Sequence, residues 1–466
     1  MTGLVKILLS RRSLFVGLVT GCLAFTVSML AGRFDPNLQD FPDPTGSVRT
    51  FSTTGSVNTS NPFFLSMGTN GRACISCHQP GDAWSVTPSH IQERFNATHG
   101  EDPIFRPVDG ANCPSADVSS ERDRERAYSM LLEKGLIRVS LPVPANAEFE
   151  VTRVRDPHHC PETTPQQLAL FRRPLPSTNL DFLSTVMWDG RETVKGQTIA
   201  QDLTTQAKDA TLGHAQATSA PTDQQLAQIV AFETALYTAQ TRDYKAGRLN
   251  EAGAQGGPES LSGQLFYIGI NDVLGADPTG APFDPNAFTV FNTWAHLPEH
   301  TPHEDAREAV ARGQKLFNTL VIPITGVAGL NDALNQPVIM GTCTSCHDAP
   351  NAGDHSVSLP INIGITDFPA LSPLDTRGLP VYTLVCKATG QKFRVTDPGR
   401  AMITGKCADI GKTKGPILRG LAARAPYFHN GSAATLMDAV NFYDRRFHLG
   451  LAEQQKEDLV AFLRSL

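Results

Sequence analysis

Apolar and polar positions along this chain follow a helical period in some stretches, a strand period in others, and neither over long intervals. "EDAREAVARGQKLFNTL", ending at Leu320, puts Ala306, Val310, Gly313 and Phe317 on one helical face. The terminal "LAEQQKEDLVAFLRSL" carries Leu459, Val460, Phe462 and Leu463 as an apolar stripe. "PTDQQLAQIVAFETALYTAQ" is read as one amphipathic helix starting at a Thr222 cap. In "LMDAVNFY", Leu436, Ala439 and Val440 lie seven, four and three residues before Tyr443 and share its face, while Met437 points elsewhere. Strand period is confined to "LIRVSLPVP" and "EFEVTRVRD", which flank "ANA" and predict a two-stranded hairpin. A mainly α fold with long loops and a small β-hairpin is expected.

Nine cysteines add chemistry to that outline, at 22, 74, 77, 113, 160, 343, 346, 386 and 407. Four fall in "CISCH" (74–78) and "CTSCH" (343–347), the C-x-x-C-H pattern of covalent haem c attachment. Two thiols one turn apart reach both vinyl groups of one haem, and the adjacent histidine is held under the iron as its axial nitrogen ligand. A zinc knuckle or a redox dithiol uses the same spacing, but two such pentads favour two haems, bound by Cys74, Cys77, Cys343 and Cys346 with His78 and His347 on the irons. The helix bearing Gly313, before the second pentad, and the apolar terminal helix suit the crossed helix pair of a cytochrome c domain. Outside the pentads, and outside Cys22 in the leader, four cysteines remain. Of the three ways to pair them, sequence proximity favours Cys113–Cys160 and Cys386–Cys407.

Formal net charge is −6; the first 33 residues hold Lys6, Arg11, Arg12 and Arg33 and no acid, so the remainder stands at −10. Nucleic-acid binding is not expected of so acidic a body without a basic stripe. The run "LFVGLVTGCLAFTVSMLA" from Leu14 to Ala31 follows three basic residues and reads as an export signal. Cleavage near Ala31, an uncleaved membrane anchor and lipidation at Cys22 are all open, and each places the body in the periplasm or another extracytoplasmic space. "SRRSLF" resembles a twin-arginine signal, which exports folded proteins and is discounted because haem is attached after export of an unfolded chain. The organisation expected is an export signal or anchor over 1–33, a Pro/Ser/Thr/Gly-rich linker over 34–60, a first haem domain over 61–240, a bridging insert over 241–302 and a second haem domain over 303–466.

Two further stretches, "TVMWDGRE" (185–192) and "PILRGLAARAPYFHNGSAATLMDAVNFY" (416–443), in that order around the pentads, resemble the bacterial di-haem cytochrome c peroxidase and MauG superfamily. The resemblance covers both haem domains, about two thirds of the chain, and leaves 240–300 unexplained. It implies Trp188 between the haems as an electron relay, although a buried tryptophan is ordinarily just core. It places His429 in the P-Y-F-H motif. In the peroxidases a methionine fourteen residues after that histidine ligates the second iron; here the position is Tyr443, and MauG has a tyrosine there. The alternative is that Tyr443 is a core aromatic and Met402 supplies sulfur. The family's distal pair is a glutamine and a glutamate; here Gln206 is followed by His214, and histidine moves protons near neutral pH. His214 is otherwise a surface residue or a sixth ligand, and His90 and His99 are other candidate sixth ligands. The family's inter-domain calcium site reads Arg173 and Arg424 here. Two cations repel a dication, which puts calcium in doubt and makes an arginine-supported interface the alternative.

The resemblance implies a peroxidase-type oxidoreductase that reduces hydrogen peroxide at the N-terminal haem and passes oxidising equivalents through Trp188 to the C-terminal haem. From there they reach a small cytochrome or copper protein, or a protein substrate. The competing reading is a di-haem electron-transfer cytochrome that never reacts with peroxide.

Overall fold

Helices form where a cap meets an apolar stripe. In the N-terminal half they are α1 (Pro88–Thr98), α2 (Glu121–Ala127), α3 (Ser129–Lys134), α4 (Ile199–Gly213) and α5 (Asp223–Thr234). A short α6 (Pro258–Ser262) leads to α7 (Pro302–Thr319), α8 (Ala401–Thr404), α9 (Leu436–Phe447) and α10 (Glu453–Arg464). The hydroxyls of Thr198, Thr222, Thr301 and Thr435 each accept the backbone N–H three residues on, closing the first turns of α4, α5, α7 and α9. The computed structural model describes residues 34–298 and 301–466. The expected export segment lies outside the described residues.

The protein is not mainly α. It is 29% helix and 17% strand, with ten helices among the described residues interleaved with several small sheets. The expected hairpin is also corrected. Both of its strands exist, β5 (Ile137–Pro142) and β6 (Phe149–Arg155), but they do not pair with each other. β5 pairs antiparallel with β7 (Gln167–Arg172), and β6 with β12 (Val381–Cys386), which also pairs with β13 (Lys392–Val395). Long-range burial decides the outcome: Phe149, Leu168, Leu170, Tyr382 and Leu384 meet in one apolar cluster that a local hairpin would not assemble.

The other departures have the same cause. α5 starts at the Thr222 cap but ends at Thr234; the "LYTAQ" expected to continue it begins strand β8 (Leu236–Asp243). The residues expected as a linker carry β1 (Phe34–Pro36), β2 (Phe41–Asp43), β3 (Gly46–Ser52) and β4 (Ser56–Asn58), and β3 runs antiparallel to β8. Its alternating burial gives β3 an inward face that needs a neighbour.

α7 and α10 cross as the helical stripes predict. A Cβ on Gly313 would stand 1.9 Å from the Asp458 carbonyl oxygen, and the Phe317 and Phe462 rings pack 5.5 Å apart beside it. Gly313→Ala is therefore expected to force the helices apart and destabilise the protein by about 1–3 kcal/mol. An unchanged denaturant midpoint would show that the crossing gives way freely.

Candidate active site

Each pentad forms one tight turn. The His78 N–H donates to Cys74 O at 3.1 Å and the His347 N–H to Cys343 O at 3.2 Å. Both pentads have serine before the second cysteine, and its hydroxyl accepts the N–H of the residue preceding the first: Ala73 to Ser76 at 3.1 Å, Thr342 to Ser345 at 2.9 Å. The two histidines are tied the same way. Nδ1 of His78 lies 3.0 Å from the Trp84 carbonyl oxygen, and Nδ1 of His347 lies 2.8 Å from that of Gly353. A carbonyl only accepts, so Nδ1 carries the proton and the Nε2 lone pair is left for a metal. Burial pushes His78 down to about 4 and lowers His347 as well, which keeps both rings neutral, as a ligand must be.

Each of the two histidines lines a cavity. The two are similar in size and each has a single pentad in its wall, so each suits one haem. Two other observations test that fit. The pentad cysteines are unpaired, whereas Cys113 is bonded to Cys160 and Cys386 to Cys407. Burial raises all four pentad thiols, Cys343 and Cys346 to about 12, which disfavours the free thiolate that a redox dithiol needs. Arg419, buried in the lining of the first cavity, and Arg424, partly buried and lining both, have Nη1 and Nε respectively without partners among the described residues, and burial lowers them to about 9 and 10. Buried guanidiniums without a counter-charge are costly; the carboxylates of a haem are the anions they lack.

The cavities share a wall containing Trp188, Arg173, Lys414 and Arg424. Trp188 Nε1 donates to Arg173 O at 2.8 Å, and its ring lies 6.1 Å from that of His429. Met187 and Phe428, immediately before these two rings, sit at left-handed φ of 68° and 67°, as does Trp84 at 59°. Such backbone persists only where its surroundings force it. The Trp188 turn is clamped by Arg172, which binds Asp189 and takes both oxygens of Asp397, at 2.7 and 3.0 Å. Burial alone would raise Asp189, but Arg172 and Arg191 hold it at about 2. Arg172→Met leaves buried Asp397 without its arginine and Asp189 with Arg191 alone, and is expected to destabilise the protein by about 3–5 kcal/mol, measured by chemical denaturation. A loss below ~1 kcal/mol would show that the clamp contributes little.

In the first cavity, His214 ends α4 and binds Asp109 through Nδ1; Asp109 also binds Arg72. Burial opposes ionisation of Asp109, but Arg72 and His214 hold it below the usual carboxylate range. Gln206, half-buried on the same helix, lines the same cavity. His90 and His99 line neither haem-sized cavity; His90 pairs with Asp82 at 2.7 Å, and His99 is exposed beside Glu121.

In the second cavity, Tyr443 and His347 share the lining. The Tyr443 hydroxyl has no hydrogen bond among the described residues, and burial raises it. His429 is buried there too, pushed down to about 4, with neither ring nitrogen hydrogen-bonded. Met437 does not line the cavity, and Met402 is buried in the sheet cluster with Phe149 and Tyr382. Arg173 donates to the carbonyl oxygens of Lys134, Val86 and Arg424 at 3.1, 2.6 and 2.9 Å, oxygens of the kind a calcium ion would use.

Sequence reasoning missed Arg72, Asp109, Arg419 and Glu233. Glu233 is buried in the first cavity with Oε2 unpartnered, and burial raises it to about 7. Only Arg72, two residues before "CISCH", stood where a search around the pentad would have found it.

No family model matches this chain. Cytochrome-c peroxidase IdrP1 of Denitromonas iodatirespirans is 34% identical over 139 residues, 27% of this chain and 36% of that protein. Cytochrome c551 peroxidase of Nitrosomonas europaea is 29% identical over 146 residues, 30% and 36% of the two. Over that part of its length the chain is similar to cytochrome c peroxidases. The match spans little more than a third of the length of these relatives. A crystal structure of a MauG-like protein associated with microbial copper homeostasis aligns over 87% of this chain and 86% of its own, at 16% identity and a TM-score of 0.40.

Proposed function

We propose that this protein is a di-haem c peroxidase-type oxidoreductase that reduces hydrogen peroxide in the His78 cavity. Oxidising equivalents would be shared through Trp188 with the His347 cavity, and drawn off by a small cytochrome or copper protein or by a protein substrate. The observation that carries this reading is an asymmetry. The first cavity holds an acid/base pair, a partly exposed His214 on a buried Asp109; the second holds a partly buried tyrosine whose hydroxyl has no hydrogen bond among the described residues.

Haem c, when bound, supplies the iron that accepts peroxide and stores oxidising equivalents. His78 and His347 would hold the irons through Nε2, and the four pentad cysteines would fix the rings. Asp109 keeps the His214 Nδ1 protonated, so Nε2 takes a proton from the bound peroxide and returns it to the leaving oxygen; Gln206 orients the substrate. Neutral His429 packs against Trp188. Tyr443 would hold the second iron as a phenolate, an anion that a metal stabilises. Arg173 does at this interface what a calcium ion would. The two disulfides suit an oxidising compartment, and a periplasmic body fits the leader, cleaved or anchored. Among the described residues no helix is long and apolar enough to cross a membrane.

A plain electron carrier needs neither His214 nor Tyr443. The electron paramagnetic resonance spectrum of the ferric protein separates the two readings. A high-spin signal that changes on adding peroxide is expected; two low-spin haems inert to peroxide would leave the carrier.

A further inference from the structure

Beneath the second pentad lies a group of buried donors that play no part in peroxide chemistry. Asp272, Asp348 and His355 are 1%, 0% and 4% exposed, and one ligating atom of each lies within 4.8 Å of the others. Asp272 comes from the bridging region at 241–302 that no motif explains. Asp348 and His355 come from the turn following "CTSCH". The backbone holds the two segments together: Gly269 N–H donates to Ser356 O at 2.9 Å, and Asn271 Nδ2 to Asp348 O at 3.1 Å.

The charges in this group do not balance. Asp348 accepts the Ser356 N–H at 2.6 Å and faces His355 Nδ1 at 2.9 Å. Asp272 accepts the Ala276 N–H at 2.8 Å through Oδ2, but its Oδ1 is buried with no hydrogen-bond partner among the described residues, as is the Ser356 hydroxyl. Lys414, the nearby cation, is turned toward the Thr185 carbonyl at 2.9 Å and Asp354 at 3.8 Å. A buried carboxylate oxygen without a donor is strongly disfavoured, and here it stands beside a second carboxylate and an imidazole.

We propose that Asp272, Asp348 and His355 bind one divalent ion of borderline softness, with zinc as its representative. Two carboxylates and one imidazole make a mixed oxygen and nitrogen set. Calcium would call for six to eight oxygens, more than the cluster provides. Three protein ligands leave a fourth position for water or the Ser356 hydroxyl. The ion would staple the bridging region to the turn under the second haem, next to His347. This function is structural and independent of peroxide reduction.

The test uses the full chain with both haems. Protein is stripped with chelator, loaded with Zn²⁺, desalted and analysed for metal, with haem iron as the internal count. About one retained zinc per chain is expected, lost in Asp272→Asn and His355→Gln while the haem absorption of both variants is kept. Wild type that retains no zinc, or variants that retain as much as wild type, would overturn the proposal; calcium retained in its place would overturn the choice of ion. Where a variant yields no folded protein, the wild-type melting temperature decides: a rise on zinc addition after chelation supports the site, and no change rejects it.

Discussion

His214→Ala in the haem-loaded protein is expected to lower peroxide turnover by about 10²–10⁴-fold, the range over which a positioned acid/base acts. The expectation rests on the chain Arg72–Asp109–His214, in which a buried ionised carboxylate fixes the ring and leaves Nε2 toward the cavity. Asp109→Asn should produce a smaller loss, since the ring stays but its tautomer is no longer enforced. The pattern across the two variants is the informative part. If His214 instead blocked the iron as a sixth ligand, its removal would raise peroxide reactivity and turn a low-spin signal high-spin. Unchanged turnover in His214→Ala would exclude both roles.

Tyr443→Phe is expected to act on the other haem. A phenolate is a hard anion that favours the oxidised metal, and replacing it with an uncoordinating ring should raise that haem's midpoint potential by on the order of 0.1 V. The paramagnetic and optical signals of one haem should change while those of the other stay nearly intact. The ring's neighbours Phe428, Phe442 and Phe447 keep the space filled in phenylalanine, so a packing role alone would predict no spectral change. A variant with both haems unaltered would reduce Tyr443 to core.

The parts of the site that were legible in the sequence are those whose chemistry is local. A pentad is complete within five residues, a helix cap within four, and the spacing from His429 to Tyr443 within one turn-helix unit, so each needs no knowledge of distant chain. The pairing of Cys113 with Cys160 and of Cys386 with Cys407 also followed proximity. What escaped was non-local. Asp109 lies in "FRPVDGANC", a stretch without period, and gains meaning only when α4 delivers His214 to it. The hairpin failed because a short turn signal in "ANA" competes with an apolar partner strand beginning at Val381, and burial of Phe149, Leu168 and Tyr382 outweighs the turn. The length of α5 failed because helix propensity through "ALYTAQ" loses to the edge offered by β3.

The sheet of β6, β12 and β13 threads both halves of the chain into one ladder. Its middle strand comes from beyond the second pentad and one of its outer strands from before the tryptophan turn. The two pentad-bearing halves therefore are not beads that recombination could exchange one at a time. A gene cut between them would leave β6 with a naked edge, prone to sticking to any strand it met, so the halves of this protein must be inherited, and must fold, together.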